Sequence, residues 1–198
     1  MAIPSRQVVA GSIIGQQGRS NVTMKADGAL RRTAAIVVTA AFLVLAPGTV
    51  VGLVPWWISR WQMRAALLGF APFRMIGVLL IVAGLPVLLE SFARFALRGV
   101  GTPAPVFPTS RLVVTGFYRF VRNPMYVAVV CLILGQALLL GNVRVLEYAG
   151  VAWLVAHLFV LAYEEPTLRR TYGAEYAAFC AQVPRWLPRL TPWRGSTD

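Results

Sequence analysis

The sequence predicts an all-α integral membrane protein: a helical bundle of about four transmembrane helices, with a C-terminal helical hairpin and a cytoplasmic amphipathic helix. Hydrophobic residues make up 58% of the 198-residue chain and charged residues only 13%, whereas soluble domains carry roughly 25% charged residues. The apolar residues are gathered in long runs, and basic segments separate those runs. A surface with so little charge is suited to lipid rather than to water.

Charge and cysteine content restrict the partners of the chain. The formal net charge is +12, and Lys25 is the only lysine among the basic residues. Such a balance is typical of proteins that bind nucleic acid or an anionic membrane surface. Because the basic residues lie between apolar runs, we predict membrane lipids as partners and no nucleic acid. Neither Cys131 nor Cys180 has a CxxC or Cys/His neighbour, so we expect no metal site and no disulfide.

The first third of the sequence predicts an arm followed by two membrane helices. Residues 1–30 are polar and aperiodic and lack the features of a signal peptide, so we predict a disordered arm; Met24 is an alternative start. Two apolar runs follow, Ala34 to Val54 and Met75 to Phe95. Each has about the 20 residues that a helix needs to cross a bilayer. We therefore assign residues 31–97 to two transmembrane helices.

The last hundred residues predict a loop, a hairpin and a surface helix. Residues 98–124 are rich in Gly, Pro and Arg, and two shorter apolar runs follow, Met125 to Leu140 and about Leu146 to Tyr163. The five-residue link between these runs implies an antiparallel helical hairpin. Apolar residues then recur with helical spacing, which predicts an amphipathic helix that lies along the membrane surface or caps the hairpin. These residues are Leu168, Tyr172, Tyr176 and Phe179.

The distribution of basic residues predicts the orientation in the membrane. Four crossings put both termini on one side, which then holds fifteen Lys and Arg residues, and the other side holds only Arg60, Arg64, Arg74 and Arg144. Positive charge favours the cytoplasmic side, so we predict both termini in the cytoplasm of a cell inner membrane. The 98–124 loop and the C-terminal segment then share that side.

Several ionisable and aromatic residues fall at this predicted cytoplasmic boundary. Glu164 and Glu165 end the hairpin opposite the helix that Pro124 opens, and adjacent carboxylates repel unless something cationic or hydrogen-bonding meets them. One interpretation is that Arg119, Arg122 or Arg169 neutralises them. The other is a polar, partly cationic ligand, for which Tyr118 and Tyr126 would offer aromatic faces. Those two interpretations remain open from the residues alone.

Glu90 and Arg94, near the end of the second run, are four residues apart and so share one helical face, where they can pair. They form either an interfacial ion pair or a polar wall of an active site.

Two segments resemble the isoprenylcysteine carboxyl methyltransferase and phospholipid methyltransferase family. Its members carry a Gly-x-Tyr-x-x-x-Arg-His-Pro-x-Tyr element, then a Glu-Glu-x-x-Leu element with Gly-x-x-Tyr and a Val-Pro-x-x-x-Pro tail. The first element is matched by Gly116, Tyr118, Arg122, Pro124 and Tyr126. The second is matched by Glu164, Glu165, Leu168, Gly173, Tyr176, Val183, Pro184 and Pro188. The resemblance covers about residues 98–190 and identifies residues 98–198 as a methyltransferase-like catalytic region.

The resemblance implies S-adenosylmethionine as cofactor and a lipophilic acceptor that enters from the bilayer. The acceptor is an isoprenoid or lipid carboxylate, thiol or amine. Carried over from the family, the cofactor-binding residues are Leu112, Val113, Tyr118, Asn123, Pro124, Met125, Tyr126 and Glu164. The candidate catalytic residues are Arg122, Glu165 and the single histidine, His157.

Two positions depart from the family pattern. Asn123 stands where the family has histidine, and an amide does not take up a proton near neutral pH. Val160 stands where prenylcysteine methyltransferases place an arginine for the substrate carboxylate, which argues against a prenylcysteine carboxylate as substrate.

Other roles are compatible with these residues. His157 lies seven residues before Glu164 on the same predicted face, either as a hydrogen-bonded core histidine or as a proton acceptor for the methyl acceptor. An NADPH-dependent membrane reductase of the sterol-reductase type is the alternative enzyme, although the paired glutamates disfavour a 2′-phosphate. A non-enzymatic membrane scaffold is the remaining alternative. The sequence does not determine the oligomeric state.

Overall fold

The computed structural model describes Val37, Ala41 and residues 45–98 and 114–194, and within these residues the chain is helical and has no strand. The predicted arm, residues 1–30, lies outside the described residues. The helices of the described chain are α1 (Leu45–Ser59), α2 (Pro72–Arg98), α3 (Pro124–Leu140), α4 (Val143–Phe159) and α5 (Glu165–Gln182).

The α3–α4 pair is the predicted helical hairpin. Only Gly141 and Asn142 separate the two helices. The Asn142 side-chain oxygen accepts hydrogen bonds from the backbone N–H groups of Arg144 and Val145, at 3.0 and 3.3 Å. These bonds satisfy N–H groups that a helix leaves without intrahelical partners at its start, so α4 begins earlier than the apolar pattern alone predicts.

Helix α2 packs along α3 with a close backbone approach. A Cβ atom added at Gly77 would lie 2.6 Å from the carbonyl oxygen of Gly135, so neither glycine leaves room for a side chain. Towards the other end of the contact, a buried cluster of Leu88, Phe92, Ala128 and Leu132 fills the interface. Helix α3 begins at Pro124, at the open end of the hairpin. The packing of α2 on α3 therefore places the C-terminal end of α2 beside residues 114–123, which carry part of the first motif.

Side chains of the hairpin donate hydrogen bonds to a π-helical segment of α1. Residues Gly48–Leu53 form a π-helical segment, a rare and less regular winding. Within it, the carbonyl of Val51 accepts from the Gln136 side chain at 2.8 Å, and the carbonyl of Val50 accepts from the Tyr148 hydroxyl at 3.0 Å. One bond comes from α3 and the other from α4, so α1 is tied to both helices of the hairpin.

Helix α5 continues directly from α4 through a π-helical turn, Val160–Glu164. Its apolar face, with Tyr176 and Phe179, packs against Val183 and Trp193 of the chain's own tail. The sequence predicted a helix along the membrane surface or over the hairpin. The periodicity correctly indicated that one face of α5 is buried. It did not predict that the C-terminal tail of the chain covers that face.

Two helical stretches are long and apolar enough to cross a membrane in the described part of the chain, Pro72–Arg94 and Val143–Gln182. In the apolar 18-residue window of each stretch, only 28% and 17% of the residues, respectively, are buried inside the chain. Large apolar side chains such as Leu79 and Val82 on α2 are consequently exposed. Water disfavours so continuous an apolar surface, whereas lipid does not. The described part of α1 and helix α3 are apolar but shorter.

Candidate active site

The site begins with a turn that only glycine can open. Residues Gly116–Arg119 form a 3₁₀ turn after the extended Thr115, and Gly116 has φ +58°. A Cβ atom at Gly116 would overlap the guanidinium of Arg94 and the carboxylate of Glu90. The loop between α2 and α3 therefore rests with its backbone directly on side chains of α2.

Glu90 and Arg94 form the ion pair that their spacing predicts. The Arg94 Nε group donates to Glu90 Oε1 at 2.6 Å, and about a third of each side chain is exposed, 28% for Arg94 and 31% for Glu90. The second carboxylate oxygen of Glu90 is buried and has no hydrogen-bond partner among the described residues. The pair thus braces the Gly116 turn and still leaves one acceptor unused.

Tyr118, Tyr126 and Glu164 come together from three parts of the chain. The Tyr126 hydroxyl, on the first turn of α3, lies close enough to the carboxylate of Glu164, at the end of the α4 extension, for the two groups to interact. Tyr118, in the 3₁₀ turn, is close enough to Glu164 and Glu90 for both carboxylates to act on it. Burial, together with those two charges, raises the pKa of the Tyr118 hydroxyl well above its ordinary value, so this hydroxyl stays protonated.

Three buried oxygen atoms without a hydrogen-bond partner within the described ranges lie around these residues. The second oxygens of Glu90 and Glu164 and the hydroxyl of Thr115 are buried, and none of the three has a hydrogen-bond partner in the described chain. A buried polar group without a partner costs about 1–3 kcal/mol, and native proteins keep few of them. Three such acceptors around one tyrosine pair indicate a place where a polar ligand completes the hydrogen bonding.

Glu165 has a different environment from Glu164. Its side chain is only 7% exposed, and it accepts from Arg122 Nη1 at 3.0 Å. It also accepts from Arg185 Nε at 2.6 Å and Arg185 Nη2 at 3.0 Å. The neutralisation that the sequence left open therefore applies to Glu165. Arg122 was a predicted partner, whereas Arg185 was not.

Asn123 faces the C-terminal tail. Its Nδ2 group donates to the backbone carbonyl of Arg185 at 3.1 Å, and the residue is buried. Pro124 is likewise buried at the first turn of α3, and Met125 packs against the α2–α3 core. These three predicted cofactor-binding residues flank the Tyr118–Tyr126–Glu164 group and hold the start of α3. Leu112 and Val113 lie outside the described residues.

His157 belongs to an aromatic group on α4. Its Nδ1 atom accepts a hydrogen bond from Trp186 Nε1 at 3.0 Å, and its ring stacks on Trp153 with centroids 5.2 Å apart and an interplanar angle of 11°. A neutral imidazole that accepts at Nδ1 carries its proton on Nε2. The Nδ1 lone pair is therefore occupied by Trp186 and does not face a substrate. The catalytic role of His157 stays a prediction that this geometry does not favour.

The structure thus divides the predicted site residues into three groups. Tyr118, Tyr126 and Glu164 meet, with Glu90 and Thr115 beside them. Arg122 and Glu165 form an ion-pair cluster with Arg185, and His157 contacts Trp153 and Trp186. Sequence reasoning missed Thr115, Arg185 and Trp186. The only available signal for the last two was their place inside the Val-Pro-x-x-x-Pro tail.

Comparison with known proteins bears on residues 73–175. The sequence model of the phospholipid methyltransferase family matches this range, which is just over half of the chain. It runs from the start of α2 into α5 and contains Glu90, Tyr118, Tyr126 and the two glutamates. No curated protein matches the chain significantly. From the family match, together with a site assembled by the motif segments on one helical hairpin, we conclude that this chain is a membrane protein of the phospholipid methyltransferase family.

Proposed function

We propose that the chain is an integral membrane methyltransferase that uses S-adenosylmethionine and acts on a lipophilic acceptor, an isoprenoid or lipid with a carboxylate, thiol or amine, at the cytoplasmic membrane face. The observation that carries the proposal is the close approach of the Tyr126 hydroxyl to the Glu164 carboxylate. It joins the two motif segments across the hairpin beside three buried acceptors without partners in the described chain.

The residues around this contact fit the chemistry of the cofactor. S-adenosylmethionine carries a sulfonium, an ammonium group and ribose hydroxyls, all of which seek hydrogen-bond acceptors or negative charge. Glu164, Glu90 and Thr115 offer the unused oxygens, and Tyr118 and Tyr126 offer aromatic faces that attract a cation. Glu164 is the one carboxylate of this group that has no arginine among its identified partners, so we assign it the main role in binding.

The bound cofactor would supply an electrophilic methyl group on sulfur. Displacement at such a methyl requires little covalent work from the protein, because holding the nucleophile in line and excluding water supply most of the gain. We propose that Tyr118, Tyr126 and Glu164 orient the donor. Arg122 and Glu165 contribute by fixing the loop and α5 rather than by touching the methyl group.

The proposed membrane arrangement has four crossings, with α2 and α4 as the long spans. Helix α3 and the segment that ends in α1 would complete the bundle, helped by the tolerance of bilayers for short hydrophobic stretches. Because Tyr126 and Glu164 lie at the open end of the α3–α4 hairpin, both would lie at the face that carries most of the arginines. Positive charge favours the cytoplasmic side.

Binding to the purified full chain in lipid nanodiscs tests the cofactor. We expect S-adenosylhomocysteine to bind in isothermal titration calorimetry and NADPH not to bind, and we expect Glu164→Gln to weaken S-adenosylhomocysteine binding. Tyr163→Phe is the matched control, because Tyr163 is exposed one residue away. Binding of NADPH instead would favour the reductase alternative, and binding of neither would favour a scaffold.

The acceptor is identified separately. The protein is incubated with methyl-labelled S-adenosylmethionine and a native lipid extract, and the labelled product is analysed by mass spectrometry. A labelled lipid that appears with wild-type protein and is lost with Glu164→Gln supports methyl transfer. No labelled lipid from a protein that binds S-adenosylhomocysteine contradicts the proposed acceptor class.

A further inference from the structure

The C-terminal tail runs back along the motif loop. We call residues 183–194 the strap. The backbone N–H of Arg122 donates to the carbonyl of Pro184 at 2.9 Å, that of Arg189 to Phe120 at 3.0 Å, and that of Trp193 to Arg119 at 2.9 Å. Every residue of the strap lies beyond the family match, which ends at residue 175. The loop between Tyr118 and Tyr126 is therefore held by a segment outside the matched range, the segment that carries the Val-Pro-x-x-x-Pro element.

One side chain joins the strap to the hairpin by charge. Arg185 donates to both oxygens of Glu165, at 2.6 and 3.0 Å, the two-pronged geometry that makes arginine–carboxylate pairs strong and directional. Glu165 raises the pKa of Arg185. The Glu165 side chain is 7% exposed and the Arg185 side chain 30% exposed, so water reaches the arginine but has little access to the carboxylate.

The same residue also holds the start of α3. The backbone carbonyl of Arg185 accepts from the Asn123 amide at 3.1 Å, and Asn123 directly precedes α3. Glu165, the partner of the Arg185 side chain, directly follows Glu164. One residue of the strap thus connects the two segments whose spacing sets the distance between Tyr126 and Glu164.

We infer that Arg185 is a positioning residue: by its bidentate pairing with Glu165 it closes the strap over residues 119–123 and fixes Tyr118 and Tyr126 relative to Glu164. The inference rests on the proposed function, because the geometry it sets is that of the proposed cofactor site. Arg185 does not touch the cofactor in this proposal, and it acts through the loop and through Glu165.

The test compares Arg185→Gln, Arg185→Lys and the control Arg170→Gln in the full chain in nanodiscs. Arg170 is exposed on α5, so its substitution removes the same charge without opening the strap. We expect Arg185→Gln to weaken S-adenosylhomocysteine binding about tenfold, which is less than the loss of a buried charged contact to the ligand itself would cause, because Arg185 acts only through the loop and Glu165. Lysine retains the positive charge but cannot donate to both carboxylate oxygens as the guanidinium does. The affinity of Arg185→Lys should therefore lie between those of Arg185→Gln and wild type.

Amide hydrogen exchange distinguishes loosening of the strap from general destabilisation, because general destabilisation would also speed exchange in the α2–α3 core. Arg185→Gln should speed exchange at residues 119–122 and in the strap and leave the α2–α3 core protected, and Arg170→Gln should change neither. If Arg185→Gln does not fold, Arg185→Lys carries the test, because it keeps Glu165 paired with a cation. Wild-type affinity in Arg185→Gln, whether or not exchange at residues 119–122 is faster, overturns the inference, and so does wild-type affinity in Arg185→Lys if only that variant folds. Absence of S-adenosylhomocysteine binding by wild type overturns the proposed function instead.

Discussion

Glu164 and Glu165 are consecutive residues, yet their carboxylates lie in separate environments: Glu164 lies beside the Tyr126 hydroxyl, and Glu165 is paired with Arg122 and Arg185. Successive side chains of a helix point about 100° apart because the helix has 3.6 residues per turn. This separation reduces the repulsion between the two carboxylates. Glu164 is left to bind a ligand, whereas Glu165 stabilises the protein through its two ion pairs.

Substitution of the two glutamates should consequently change ligand affinity and thermal stability in different proportions. We expect Glu164→Gln to weaken S-adenosylhomocysteine binding about tenfold or more, since hydrogen bonds to charged groups are worth about 1.5–3 kcal/mol, and to change the melting temperature little. Glu165→Gln should mainly lower the melting temperature, because it leaves two arginines facing a neutral amide, and it should weaken binding no more than Arg185→Gln does, because both substitutions break the same pair. Calorimetric titration and thermal unfolding of both variants measure this. A larger affinity loss in Glu165→Gln than in Glu164→Gln would reverse the assignment.

The hydroxyl of Tyr126 should contribute through Glu164. Tyr126→Phe keeps the ring and removes the donor, so the Glu164 carboxylate loses its identified partner. We expect affinity for S-adenosylhomocysteine to fall by about threefold to tenfold, the equivalent of one hydrogen bond. Tyr148→Phe is the control, because that hydroxyl donates to the carbonyl of Val50 within the helical bundle, at 3.0 Å. Calorimetric titration that finds equal affinities for Tyr126→Phe and wild type would exclude this role.

The sequence predicted the hairpin and the pairing of Glu90 with Arg94 because both are local. Apolar run length sets the helices, a five-residue link sets the hairpin, and four-residue spacing sets the ion pair. It did not predict that Arg185 meets Glu165, because a contact across 20 residues and several prolines depends on the path of an irregular tail. The direction in which each adjacent glutamate faces was equally hidden, since it depends on the π-helical turn at Val160–Glu164.

Gly116 should be intolerant of any side chain. Its φ of +58° is in the left-handed region, and a Cβ atom there would overlap the Glu90 and Arg94 side chains. We expect Gly116→Ala to lower stability by about 1–2 kcal/mol, from backbone strain and displacement of the ion pair, and to weaken S-adenosylhomocysteine binding through the displaced Tyr118.

Gly150→Ala is the matched control for Gly116→Ala. Gly150 lies inside α4, and nothing lies within 4 Å of the added Cβ, so alanine there should be neutral or stabilising. Chemical unfolding and calorimetric titration of both variants provide the comparison. Equal stability of the two variants would show that the Gly116 turn can shift without cost.

His157 should tolerate a substitution that keeps an acceptor for Trp186. Its Nδ1 atom accepts from Trp186 Nε1 at 3.0 Å, and a glutamine oxygen can replace that acceptor, whereas phenylalanine cannot. We expect His157→Gln to retain methyl transfer to native lipids within about threefold of wild type, because Trp186 keeps its acceptor. If His157 were the general base, its loss would instead lower turnover by about 10²–10⁴-fold. His157→Phe should lower the melting temperature, since Trp186 Nε1 then loses its partner. A turnover loss of about a hundredfold in His157→Gln, with S-adenosylhomocysteine affinity unchanged, would assign His157 the proton-accepting role.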